Sequence, residues 1–259
     1  MRENNQYFLG FIRDMDFLES GAFINHAYVK KMKERWKGMK LTDRLYTEVE
    51  DIWNGYLEQP FVKELGEGTL REDRFRFYMV QDYRYLLEYA KVFALGVVKA
   101  EDERLMRRFA CMVHDTLDGE MDVHKIYMKR LGITEEEIAS TKSALTNQSY
   151  TSYMLDIGFK GDILDILVAV LSCAWSYQRI GEHLKKLPGA LEHPLYGEWV
   201  GGYSSEEYIR SVRDIMDAVD ELGDDISLKK EVYLKEVMVK CSQYERDFWE
   251  MAYHMNMGD

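Results

Sequence analysis

Cys173 and Tyr177 stand four positions apart in the stretch I-L-D-I-L-V-A-V-L-S-C-A-W-S-Y-Q-R-I-G-E-H-L, from Ile163 to Leu184. At about 100° per helical residue they share one face, so a thiol and a phenol point together into whatever that helix lines. Such a thiol becomes a nucleophile only if a base or a lowered pKa delivers the thiolate; otherwise a lone Cys in an apolar helix is a small buried hydrophobe. Asp82 sits in F-R-F-Y-M-V-Q-D-Y-R-Y-L-L-E-Y-A-K-V-F, where burial of its carboxylate demands a partner and the alternative is a solvated helix face. Glu245 and Phe248 share a face at i and i+3 near the C-terminus, with a surface carboxylate as the plain alternative. Glu120 and His124, at i and i+4, have the types of two metal ligands. A di-metal carboxylate bundle needs two Glu-x-x-His pairs and further acids, and no second pair exists here, so a hydrogen-bonding pair on a helix face is the better reading.

These residues need long helices to hold them. From Ile163 to Trp175 the stretch is apolar nearly all the way round, which marks it as the central helix of a bundle. Leu45, Val49, Ile52, Trp53 and Tyr56 form one stripe of an amphipathic helix, with Thr42 as its expected cap and Pro60 as its interruption. Gly66 and Gly68 predict a turn, and Thr69 with Glu72 predicts a capping box for the helix carrying Asp82. A helix over 102–131 is expected to end at Gly132, and Thr134 with Glu137 makes another capping box. A short helix over 193–203 is expected to close at Gly201-Gly202, Ser204 or Ser205 to cap the next, and the last helix to run from about Ser227 to His254. The predicted class is all-α.

At 259 residues the chain fits one domain plus an appendage. Residues 1 to 40 carry eight Lys or Arg against five acids, a balance of +3 that leaves −15 for the remainder of a chain whose total is −12. That shift, without a sustained apolar period, predicts a loosely ordered appendage over 1–38 and a main helical domain over 39–259, with Met39 able to serve as a translation start. The acidic balance argues against a phosphate-backbone partner, because nucleic-acid binding needs a clustered basic face. Cys111, Cys173 and Cys241 form no C-x-x-C pair and are expected as reduced thiols. No uninterrupted apolar run reaches the roughly 18 residues of a membrane span, and no signal peptide is evident, so no membrane association and a cytoplasmic location are expected.

Five separated segments then form a recognisable set: Q-D-Y-R-Y at Gln81, S-Y-T-S-Y-M at Ser149, L-S-C-A-W-S-Y at Leu171, H-P-L-Y-x-x-W-x-x-x-Y at His193 and Y-E-x-x-F-W at Tyr244. Together they resemble the TenA family, also called thiaminase II or aminopyrimidine aminohydrolase, over about residues 40 to 257. The resemblance implies a haem-oxygenase-like multi-helix bundle, a homotetramer, and neither metal nor cofactor. It implies hydrolysis of 4-amino-5-aminomethyl-2-methylpyrimidine to the hydroxymethyl pyrimidine of thiamin salvage, with cleavage of thiamin as a further activity. By motif position the nucleophile falls on Cys173, the acid/base on Glu245 and the carboxylate for the aminopyrimidine edge on Asp82. Substrate-lining aromatics fall on Tyr85, Tyr150, Tyr177, Tyr203 and Phe248, and the cysteine places the chain in the cysteine-bearing branch.

The residue types fit that chemistry independently. Aromatic faces hold a flat heteroaromatic ring, a carboxylate accepts from its exocyclic amine, and addition of a thiolate splits one difficult displacement into two. An activated thiolate is expected to make Cys173 the first of the three cysteines to alkylate. Two other readings compete: a catalytically silent pyrimidine-binding or regulatory protein, and a metal oxidase sharing only the fold.

Overall fold

The computed structural model describes residues 38–258, and the compact unit Lys40–Asp259 carries all the elements that follow. The expected appendage over 1–38 lies almost wholly outside the described residues. In chain order the helices are α1 (Leu41–Leu57), α2 (Pro60–Gly66), α3 (Glu72–Lys99), α4 (Glu103–His114), a π-helical turn (Asp115–Glu120), α5 (Met121–Arg130), α6 (Glu135–Ser140), α7 (Leu145–Lys160), α8 (Ile163–Leu184), α9 (Gly197–Tyr203), α10 (Glu206–Leu222) and α11 (Leu228–His254). No strand occurs among the described residues.

Helix α8 is the axis of the bundle. It packs against α3, α7, α9, α10 and α11, and Ile166 through Leu171 are completely buried. Burying such side chains stabilises the fold by about 1.5–3 kcal/mol each for the larger ones, an upper figure because the unfolded chain already hides some apolar area. By length and composition α8 could cross a bilayer, although no single apolar run in the sequence is that long; its apolar residues are instead covered by neighbouring helices. Its start is fixed by a capping box in which Asp162 accepts from the Asp165 backbone N–H and Asp165 from that of Asp162. Inside, the Ser172 and Ser242 hydroxyls lie 3.0 Å apart and Trp53 Nε1 donates to Ser242 Oγ at 2.9 Å, tying α8, α11 and α1 together.

Several local expectations change. Thr42 is not the cap of α1: it is the second helical residue, and its N–H and hydroxyl both donate to Asp220 at the far end of α10. A tertiary carboxylate there does the work expected of a local side chain. Pro60 separates two helices but also opens α2, where its missing N–H costs nothing. Thr69 and Glu72 make no capping box, since the Thr69 hydroxyl donates to the Glu64 carbonyl instead. Gly201 and Gly202 lie within α9, which ends at Tyr203. The helix expected over 102–131 contains the π-helical turn, which widens the backbone and resets the face that Glu120 and His124 present. Gly68 and Gly132 take the left-handed conformations that their turns require (φ +73° and +65°), and Thr134, Ser205 and Ser227 cap their helices.

Candidate active site

A cavity of about 560 Å³ lies between α3, the π-helical turn, α8, α9 and α10. Cys173 and Tyr177, one turn apart on α8, both reach it, as their spacing requires. Asp82 and Tyr85 enter from α3, and Tyr203 from the end of α9. Tyr150 of α7 and Phe248 of α11 stand behind them, with ring centroids 5.3 and 5.8 Å from that of Tyr85. Glu245 lies one turn before Phe248 on α11, beside Cys173 and Tyr150. Of the eight residues singled out in the sequence, Asp82, Tyr85, Cys173, Tyr177 and Tyr203 line the cavity, while Tyr150, Glu245 and Phe248 pack behind that lining without forming part of it.

The close fit of α8 and α9 depends on Gly181. A Cβ there would lie 2.7 Å from the Tyr203 carbonyl carbon and 2.9 Å from the Ser204 nitrogen, distances that side-chain atoms do not tolerate. Because the glycine admits the backbone of α9, the Tyr203 ring sits 4.8 Å from that of Tyr177. Trp199 packs on both, 5.9 Å from Tyr177 and 4.7 Å from Tyr203, so one wall of the cavity is a continuous aromatic surface.

The electrostatics are those of a dry site. Glu245 is 2% exposed, and burial pushes its pKa from 4.5 up to about 8, opposed by the neighbouring Tyr150 phenol and Cys173 thiol and reinforced by the charge of Asp82. That shift favours the carboxylic acid over the carboxylate near neutrality. Glu245 Oε1 and the Tyr150 hydroxyl are buried neighbours that influence each other's pKa without a fully formed hydrogen bond between them. The Cys173 thiol is pushed well above its usual range, first by burial and then by the charge of Glu245, while the Tyr85 phenol works the other way. These surroundings favour the thiol over the thiolate, so the activated thiolate expected from the sequence finds no support in them. Cys111, in contrast, is exposed on α4.

Asp82 is 4% exposed, which removes the solvated-face reading, and its partner is His124: Nε2 lies 2.7 Å from Asp82 Oδ2. The other ring nitrogen, Nδ1, faces the Glu120 backbone oxygen at 2.9 Å. Glu120 uses its carboxylate elsewhere, accepting from the Tyr203 hydroxyl at 2.9 Å. Glu120 and His124 thus do not pair side chain to side chain. With both imidazole nitrogens engaged they do not form a two-ligand metal site, and no cluster of three or more His, Cys, Asp or Glu with metal-binding geometry occurs among the described residues. Burial raises the Glu120 pKa, partly offset by His124 and Tyr203. Sequence reasoning noticed this i, i+4 pair but could not see that each member serves a different helix. It assigned no role to Tyr89, Trp199 and Tyr208, which also line the cavity; Trp199 was visible only as part of the segment at His193, and Tyr208 is the single aromatic of α10.

An all-helical bundle enclosing a thiol, buried carboxyls and a tyrosine-rich wall defines a class of small-molecule pocket suited to a flat, polar-edged ring. The TENA/THI-4/PQQC family model matches residues 46–255, and the chain belongs to that family. A Helicobacter pylori protein named aminopyrimidine aminohydrolase is 47% identical over 215 residues, spanning 83% of this chain and 99% of the relative. A Bacillus subtilis (strain 168) protein of the same name is 36% identical over 216 residues, spanning 83% of this chain and 90% of the relative. Among solved structures, a TenA homologue from P. horikoshii OT3 superposes with a TM-score of 0.77 at 32% identity, covering 83% of this chain and 99% of that one. A protein from Shewanella denitrificans OS217 described as having a heme oxygenase-like fold superposes with a TM-score of 0.67 at 16% identity, covering 83% of this chain and 92% of that one, a likeness of fold alone.

Proposed function

We propose that this protein is an aminopyrimidine aminohydrolase of thiamin salvage, converting 4-amino-5-aminomethyl-2-methylpyrimidine and water to the 5-hydroxymethyl compound and ammonia, with thiamin cleavage as a further activity. Family membership and the named relatives support the reaction class. The observation that carries the assignment of roles is the placement of the Cys173 thiol beside the buried Glu245, whose pKa is raised to about 8.

In this reading the ring lies against Tyr177, Tyr203 and Tyr85, backed by Tyr150 and Phe248, with its exocyclic amine donating to Asp82. Both Cys173 and Glu245 are neutral at rest, so the addition step is best run as a proton relay that creates no isolated charge in a dry site. Glu245 takes the thiol proton on one oxygen while giving its own proton from the other to a ring nitrogen, as sulfur bonds to the ring carbon. The adduct expels the amine from the adjacent methylene as its C–N bond breaks, Glu245 giving it the proton with which it leaves as ammonia. Water then adds to that methylene carbon and returns a proton to Glu245, and sulfur departs as the ring-nitrogen proton passes back to it, restoring the Cys173 thiol.

The reading extends to a homotetramer in the cytoplasm, formed without nucleic acid, membrane, metal or cofactor, and to a catalytic domain over 39–259. Light scattering on the purified protein tests the tetramer. The activity is tested by measuring kcat/KM for the aminopyrimidine and for thiamin side by side, since specificity is that ratio. Turnover of the aminopyrimidine with the higher ratio is expected. Tight binding of the hydroxymethyl product without turnover of either compound would instead make the protein a silent pyrimidine binder.

A further inference from the structure

His124 is a buried, titratable side chain that the reaction sequence above does not use. Its two nitrogens face two acceptors: a backbone carbonyl, Glu120 O, at 2.9 Å and a carboxylate oxygen, Asp82 Oδ2, at 2.7 Å. A carbonyl can only accept, so Nδ1 carries a hydrogen. One more proton lies in the 2.7 Å gap to Asp82, and the pair is either imidazolium with carboxylate or neutral imidazole with carboxylic acid.

We infer that His124 is a positioning residue for substrate recognition: as an imidazolium it fixes Oδ2 of Asp82 and compensates its charge, leaving Oδ1 as an ionised acceptor for the amino edge of the pyrimidine. This rests on the reading of Asp82 proposed above. The ionisable groups facing the pair are Tyr78 on α3, Glu120 on the π-helical turn, Cys173 and Tyr177 on α8, Tyr203 on α9, Tyr208 on α10 and Glu245 on α11. Only Asp82 and Glu120 press significantly on His124. Burial works against its charged form, but the hydrogen bond and charge of Asp82, with Glu120 behind it, leave its pKa raised. The π-helical turn makes this possible by placing the Glu120 carbonyl under Nδ1 and the Glu120 side chain toward Tyr203.

The test compares His124→Gln and Asp82→Asn with the unaltered protein by calorimetry, using 4-amino-5-hydroxymethyl-2-methylpyrimidine as probe at pH 7. Glutamine can still donate to Asp82 but carries no charge, so the buried carboxyl loses its compensating cation. Both variants are expected to weaken binding by at least about tenfold. Unweakened binding by a folded His124→Gln while Asp82→Asn is impaired overturns the inference. If Asp82→Asn binds normally, the substrate reading of Asp82 fails. A ligand-free measurement decides His124 separately, even should the variant not fold: nitrogen-15 histidine NMR of the unaltered protein should show both His124 nitrogens protonated at pH 7, and a neutral imidazole there overturns the inference.

Discussion

The Glu245 carboxyl and the Cys173 thiol are buried side by side and act on each other: the charge of the glutamate raises the thiol's pKa, and the thiol lowers that of the glutamate. Neither can ionise cheaply alone, so a reaction that moves one proton through both is favoured over one that begins from a free thiolate.

If the two residues act as one unit, their losses should not add. Glu245→Gln is expected to reduce kcat by at least about a hundredfold, and the double variant with Cys173→Ala to be hardly slower than either single variant. Single-turnover assays measure this. Multiplicative losses would separate the two roles.

The pH dependence follows from the raised carboxyl. Glu245 ionises near 8 when folded but near 4.5 when free, so between those values the unfolded chain has lost a proton that the folded one keeps. Stability therefore falls as pH rises from about 4 to about 8 and levels off above. Glu245→Gln removes that slope: it should be neutral near pH 4 and stabilising by on the order of a few kcal/mol near pH 8. Thermal melts at the two pH values check it. In the unaltered enzyme kcat/KM should decline above about 8 as the acid form is lost.

Alkylation should begin at Cys111, which is exposed, and not at Cys173, whose thiol is half-buried and pushed up in pKa. In a Cys111→Ala background, iodoacetamide modification of Cys173 should be slow at pH 7, speed up with rising pH and be blocked by the hydroxymethyl product. Mass spectrometry of peptides reads this out. Labelling of Cys173 as fast as Cys111 at pH 7 would indicate a preformed thiolate.

Gly181→Ala should move Tyr203, because the new Cβ meets backbone rather than a flexible side chain. A loss of about 1–3 kcal/mol in stability, the usual range for overpacking, is expected together with a raised KM. Gly55→Ala, in α1 with nothing within 4 Å of the new Cβ, is the control and should stabilise slightly. Equal melting temperatures and KM values for the two variants would contradict this role for Gly181.

Removal of residues 1–38, so that the chain starts at Met39, is expected to leave activity and oligomeric state unchanged. A large loss of either, by assay and light scattering, would make that segment part of the site or of an interface.

Much of this arrangement was legible in the residues. The all-round apolar character of α8 placed it at the centre, and helical phase put Cys173 and Tyr177 on the same face. The caps at Ser205 and Ser227 could be read because they depend on neighbours three positions away. What could not be read depends on distant partners: Thr42 is satisfied by Asp220, and Asp82 by His124. The surroundings of the Cys173 thiol could not be read for the same reason: its pKa is pushed up by burial and by Glu245, which is 72 positions away in the chain.

The central claim, that Cys173 forms a bond to the ring, is tested most directly by the turnover of 4-amino-5-aminomethyl-2-methylpyrimidine in Cys173→Ala, measured beside product affinity. The account predicts product release slower by at least about a hundredfold with the dissociation constant of the hydroxymethyl product unchanged, since the aromatic walls and Asp82 remain. Near-normal turnover by Cys173→Ala would contradict it.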